Sequence, residues 1–299
     1  MCRIFGFRSR ISLAVHHSLV DAENALSVQS RAHPDGWGLG YYEGDEARVI
    51  KAVNPAFADD GFALITRLLS CQALVAHVRK ATVGDLRLEN THPFRYGRWL
   101  FAHNGDIEGF QHLRPFFLEE MDPRFRELMK GSTDSEHCFY LFLTELDRLD
   151  SLESAHGALV AEALAETLRR IHHWSVILGT EPPILNFLAT DGRVMGATRL
   201  GRSLYFSTQK KRCSDYDFCP SAAKPCLGLR IEEGPVTHLS VASEPTSRED
   251  IWEEMPDNSV LLVDQEMIMH RMEAVVTGLG PRDRTREKSI PAAAAMAIL

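Results

Sequence analysis

Apolar and polar positions change period along this chain. Residues 2–8 alternate loosely around Ile4, Phe5 and Phe7 and read as a buried strand. Residues 20–31 read as a helix, with Leu19, Ala22 and Leu26 toward one side. His33-Pro34-Asp35-Gly36 is a turn signal. After it, 37–42 and 47–53 read as a β-hairpin around Glu43-Gly44-Asp45. Residues 61–71 have a helical pattern, 72–78 form a strongly apolar strand, and 98–102 form another, ending in His103-Asn104-Gly105-Asp106. Thr133 with Glu136 three residues later is a capping-box pattern that opens a helix, continued by 138–146. A second long helix covers 154–172.

Beyond that point the pattern returns to strands: 183–191, 193–199 and 203–207, with Asp191-Gly192 as a hairpin turn, and then 236–243, 259–263 and 268–276. Strands, then helices, then strands, without a linker or repeat, predict one layered α/β domain over 2–280 with largely antiparallel sheets. Residues 281–299 read as a mobile C-terminal tail.

Composition narrows the function. Apolar content of 44% and charged content of 25% are ordinary for a globular chain. A net charge of −8 and no run of four Lys/Arg argue against nucleic acid as a partner. No window reaches the ~20 apolar residues of a membrane span. Arg3 and Arg8 interrupt the N-terminal apolar stretch, so a signal peptide is not expected and the reading is cytoplasmic. The six cysteines then read as free thiols. Cys213, Cys219 and Cys226 lack the short spacing of structural zinc sites, so neither metal nor cofactor is expected. The Gly36–Gly40 and Gly196/Gly201 patterns lack the helix and the Lys that nucleotide loops require.

Four segments carry candidate chemistry. Cys2 follows the initiator Met, and removal of Met1 would leave a thiol and a free α-amine on one carbon. The amine, with an ordinary pKa of ~7.7–8.0, can take the proton of a thiol near 8.5 without a separate histidine. Asn104 and Gly105 offer a side-chain amide and a backbone N–H as oxyanion donors. Arg79, at the end of a buried strand, can clamp a carboxylate. Asp134 lies in the first turn of a helix, where an acid also favours the helix dipole. Taken singly, each has an ordinary structural explanation.

Taken together, Cys2, Arg79 with Thr82, His92, His103-Asn104-Gly105 and Thr133-Asp134 resemble the class II glutamine amidotransferase domain of the N-terminal-nucleophile hydrolases. Asp35-Gly36-Trp37-Gly38, Leu188-Ala189-Thr190-Asp191-Gly192 and Ser243-Glu244-Pro245 look like its stand-alone branch. The resemblance implies a four-layer αββα sandwich. It implies Cys2 as nucleophile, Asn104 and Gly105 as the oxyanion hole, Arg79 and Asp134 on the substrate's carboxylate and ammonium, and Thr82 and His92 lining the same pocket. The sequence departs from several relatives at Lys80, where they carry an aromatic residue. The implied activity is cleavage of a γ-glutamyl amide, in glutamine or a γ-glutamyl conjugate, through a cysteine thioester that releases glutamate. An ammonia-accepting partner enzyme and a homodimer are both compatible with it. The competing reading is a non-catalytic or ammonia-supplying regulatory subunit with the same fold.

Overall fold

The computed structural model describes residues 2–81, 84–149, 152–153, 156–212 and 235–274. The strands are β1 (Arg3–Ala14), β2 (Trp37–Glu43), β3 (Glu46–Ala52), β4 (Ser70–Val78), β5 (Phe94–Tyr96), β6 (Trp99–Asp106), β7 (Ile184–Thr190), β8 (Met195–Arg199), β9 (Tyr205–Ser207), β10 (His238–Ala242), β11 (Glu253–Glu254), β12 (Ser259–Val263) and β13 (Met269–Glu273). The α-helices are α1 (Leu26–Gln29), α2 (Asp60–Leu68), α3 (Phe110–Glu120), α4 (Pro123–Arg126), α5 (Asp134–Leu149) and α6 (Gly157–Leu178).

The strands form a seven-stranded sheet, β11-β9-β10-β1-β4-β2-β3, and a six-stranded sheet, β13-β12-β8-β7-β6-β5. The strand pairings are antiparallel. Period-two alternation explains the layers. Ile4, Val75, Leu100, Ala102 and Leu188 face inward and form the core between the sheets. Their neighbours Phe5, Phe7, Leu74, Ala76 and Val78 face the other way, against Leu19, Leu26 and Phe62 of the first helical layer. On the far side Trp99, Phe101 and Phe187 pack under Phe139, Phe142 and Leu164 of α5 and α6. The result is the expected αββα sandwich.

Local differences from the sequence reading have local causes. The helix expected over 20–31 is two short pieces, a π-turn at His17–Asp21 and α1, separated where Asn24 N–H binds Thr246 O at 3.1 Å. The helix expected over 61–71 stops at Leu68, because Ser70 and Cys71 pair with Ala14 and Leu13 at the far end of β1. His103-Asn104-Gly105-Asp106 is not a turn. It continues β6, paired residue by residue with 184–187 of β7. Helix α3, which carries Pro115, has no counterpart in the sequence reading. The expected 281–299 tail and Cys213, Cys219 and Cys226 lie outside the described residues. Cys2, Cys71 and Cys138 are unpaired thiols.

The aromatic seam of the second core generates a contrast. Phe101 lies 5.4 Å from Phe139 and 5.0 Å from Phe187 between ring centroids, fully buried. Phe101→Ala should cost about 3–5 kcal/mol in urea unfolding, whereas Leu68→Ala, on an α2 side chain 76% exposed, should change stability by less than about 0.5 kcal/mol.

Candidate active site

Cys2 immediately precedes β1, and β1 pairs with β4 through Arg3↔Val78 and Ile4↔His77. That register sets Cys2 against the residues leaving β4. Its Sγ lies 3.4 Å from Lys80 N, which donates to it, and 3.5 Å from Lys80 O. Burial pushes the thiol pKa up. The Lys80 amide and the positive charge of Arg79 pull it down, while Asp134 raises it. Cys2 therefore feels both candidate head-group residues, with opposite signs. The turn before β2 clamps this segment: Arg79 N–H donates to Gly36 O at 2.8 Å, Asp35 N–H to Arg79 O at 3.0 Å, and Ala81 N–H to the Asp35 carboxylate at 2.8 Å.

The Arg79 side chain is buried and donates to Asp85 O at 3.0 Å and Gly84 O at 3.1 Å, holding the loop that follows it. Burial lowers its pKa, and the neighbouring Cys2, Asp35 and Asp85 oppose that shift. Thr82 lies outside the described residues.

Asn104 has the same parity on β6 as Leu100 and Ala102, so it points between the sheets, as Cys2 does by the parity of Ile4. Its Nδ2 donates to Ser243 Oγ at 2.9 Å, and Ser243 Oγ also accepts Ile4 N–H at 3.0 Å. Thus Asn104 and the strand carrying the cysteine meet at one hydroxyl. Asn104 Oδ1 is buried without a partner.

Gly105 is required by close approach. A Cβ there would sit 1.8 Å from Ile184 O and 2.2 Å from His103 Nε2. Its N–H is directed by strand register. Leu185 N–H and Phe187 N–H point toward β8, to Leu200 O and Thr198 Oγ1. Their partners across the ladder, Gly105 and His103, therefore turn their backbone groups the other way, toward the β5 side, where pairing has already ended at Phe94.

His103 faces the helical layer. Its Nε2 lies 2.9 Å from Ile184 O and its Nδ1 2.9 Å from Ser135 Oγ. A carbonyl only accepts, so Nε2 carries a proton, while the single Ser135 hydroxyl hydrogen lies between His103 Nδ1 and Asp134 Oδ1, which Ser135 Oγ reaches at 3.2 Å. Asp134 is buried and receives Ser135 N–H at 2.7 Å and Ile107 N–H at 3.2 Å, tying the start of α5 to the end of β6. The Thr133–Glu136 capping box is half-formed. Thr133 Oγ1 accepts Glu136 N–H at 3.3 Å, but the Glu136 carboxylate turns to Lys130 N and Gly131 N.

His92 is buried behind this group. Its ring lies 4.1 Å from that of His77 and 4.7 Å from Phe94, and the ring nitrogens of both histidines have no protein partner. Burial drives both imidazoles well below their ordinary pKa, so both are neutral. Gly38 lets this pair approach, because a Cβ there would lie 2.0 Å from His92 O.

Cys2, Arg79, Asn104, Gly105 and Asp134 are thus gathered at one end of the sandwich, with His92 beneath. The sequence reading missed His77 as its stacking partner and the bonds that Ser243 and Ser135 make. Ser243 was visible as part of a Ser-Glu-Pro segment, but its contact across 139 residues was not. Among the described residues no cluster of three or more His, Cys, Asp or Glu could hold a metal ion, and no helix is long and apolar enough to cross a membrane.

Comparison with known proteins bears on this arrangement. The family model for class II glutamine amidotransferases matches residues 1–284. The chain is 27% identical over 308 residues to the probable glutamine amidotransferase DUG3 of Saccharomyces cerevisiae, covering 90% of this chain and 83% of that one. It is 26% identical over 294 residues to the γ-glutamyl-hercynylcysteine sulfoxide hydrolase of Mycobacterium tuberculosis, covering 94% of this chain and 100% of that one. A solved glutamine aminotransferase class II domain protein from Silicibacter pomeroyi superposes with a TM-score of 0.62 at 23% identity, over 92% of this chain and 100% of that one, a likeness of fold.

The buried histidines predict an acid limit. Burial holds His33, His137 and His238 at about 4, with His77 and His92 also well below their ordinary value. In the unfolded chain they protonate near 6.5. Between these values the unfolded state binds protons that the folded state refuses, so stability falls as pH falls, by up to about 1.4 kcal/mol per unit for each imidazole. The urea midpoint should drop from pH 7 to pH 5.5, and His238→Gln should flatten that slope.

Proposed function

The chain belongs to the class II glutamine amidotransferases, and on that premise we propose that it hydrolyses a γ-glutamyl amide through a thioester on Cys2. The observation that carries this reading is the convergence on one sandwich end of a cysteine at position 2, a strand N–H at Gly105 turned away from β7, a buried amide at Asn104, and Arg79 and Asp134 of opposite charge.

In this reading Met1 is removed, and the new α-amine takes the Cys2 thiol proton. Sulfur attacks the γ-carbonyl carbon. Negative charge moves to the carbonyl oxygen, where Gly105 N–H and the Asn104 amide stabilise it. Collapse breaks the C–N bond, and the ammonium returns the proton to the departing amine. Water attacks the thioester from the same side, releasing glutamate and restoring the thiol. Arg79 and Asp134 hold the α-carboxylate and α-ammonium, and two-point binding sets the reacting carbonyl near sulfur. Thr82 and His92 line the pocket. His92, kept neutral by burial, shapes the wall and adds no charge. No metal or cofactor enters these steps.

The leaving group separates two sub-readings. Ammonia leaving from glutamine passes to an accepting partner enzyme or is released, while a larger amine needs no acceptor. A hydrolase of a γ-glutamyl conjugate is among the relatives and is matched along its whole length. This supports the conjugate reading, in a cytoplasmic protein whose catalytic domain spans 2–280 and which leaves a homodimer open.

Purified protein with a verified Cys2 N-terminus should release glutamate from at least one of glutamine, glutathione and other γ-glutamyl amides. Cys2→Ala should abolish release and leave the thermal midpoint nearly unchanged. Wild-type rates in that variant would end the nucleophile assignment. Asp134→Asn should raise KM at least about tenfold, and should also cost about 1–3 kcal/mol because one amide oxygen replaces the two that accept Ser135 N–H and Ile107 N–H.

A further inference from the structure

Ser243 follows β10, is buried, and is joined to Ile4 in both directions: Ile4 N–H donates to Ser243 Oγ at 3.0 Å, and Ser243 N–H donates to Ile4 O at 3.1 Å. Its hydroxyl also lies 2.9 Å from the Asn104 amide nitrogen. With Asn104 Nδ2 and Ile4 N–H both donating to it, the Ser243 hydrogen has no acceptor among these three groups, while Asn104 Oδ1, in a residue only 2% exposed, has no donor. A buried carbonyl left without a donor loses the hydrogen bonds it would have made to water. The two ends of a side-chain amide have the same shape, and hydrogen-bond satisfaction decides which faces which neighbour.

We infer that Ser243 is the positioning residue for the oxyanion donor. Its hydroxyl accepts Ile4 N–H and gives its own hydrogen to Asn104 Oδ1. The amide is thereby turned so that its NH2 occupies the place of the orphaned oxygen. Every polar atom in the trio is then used except the two amide hydrogens, which wait for an acceptor that the protein does not supply. That acceptor is the carbonyl oxygen that becomes negative as Cys2 attacks. Ser243 also couples the two halves of the site mechanically. One hydroxyl grips the backbone two residues after the nucleophile on β1 and the amide on β6 of the other sheet. The inference rests on the reaction proposed above.

A positioning role affects the chemical step more than substrate binding. Ser243→Ala should lower kcat for glutamate release about 10²-fold and leave KM within about threefold. Ser243→Cys, similar in size but a weak donor, should lose kcat likewise, and it serves if the alanine variant folds poorly. Ser243→Thr, which keeps the hydroxyl, should restore most of the rate. Asn104→Ala should lose about 10²–10³-fold, and Ser243→Ala combined with Asn104→Ala should be no slower than Asn104→Ala alone. The inference is overturned if Ser243→Ala keeps kcat within about threefold while Asn104→Ala is inactive, or if the two losses multiply. If Asn104→Ala keeps the full rate, the oxyanion assignment itself falls, and the role of Ser243 with it. Loss of all activity in Cys2→Ala alongside either result keeps the nucleophile reading separate.

Discussion

The candidate site depends on the N-terminal strand being central. A chain terminus normally frays, because few contacts tie it down. Here β1 is paired on one edge with β10 and on the other with β4, in the middle of seven strands. Ile4 on one face and Phe5 and Phe7 on the other are sunk into two separate cores. Position 2 therefore immediately precedes a strand anchored on both edges.

The same burial that fixes the terminus makes the polar groups around it costly. The molecule answers in two ways. Some groups are hydrogen-bonded to the protein: Asp134 by two backbone N–H groups, His103 by a carbonyl and a hydroxyl, Arg79 by loop carbonyls. Others are kept uncharged, as in the His77–His92 stack. Against this background the unmet side-chain oxygen of Asn104, beside the single hydroxyl of Ser243, stands out, and strand register turns the Gly105 N–H away from β7. Open hydrogen-bonding capacity at the end of the sandwich is what an oxyanion would use, so the energetics of the fold and the proposed chemistry share the same atoms.

The relatives place the chain within a family whose members carry names from glutamine amidotransferase to γ-glutamyl conjugate hydrolase. Arg79 and Asp134 would read the amino-acid head that all such substrates share. Discrimination then falls to whatever contacts the departing amine. Lys80 flanks the Cys2 sulfur with its backbone and has an exposed side chain.

Much of this was legible in the sequence. Period-two alternation marked most of the longer strands, Gly44 and Gly192 marked two hairpins, and Thr133 marked the start of α5. Cys2, Arg79, Asn104, Gly105 and Asp134 could be singled out because their chemistry and spacing resemble one family. What the sequence could not carry was anything set by register or by contact between distant segments. Asn104-Gly105 looks like a turn to local propensity, and only pairing with β7 keeps it extended. The helix expected over 20–31 breaks because Asn24 bonds to Thr246, and α3 forms despite Pro115 because its aromatic face is buried. Local sequence determines which way a side chain alternates. Tertiary structure alone decides what it then meets, because hydrogen bonds such as Ser243 to Asn104 depend on two sheets docking, and docking is a property of the whole core.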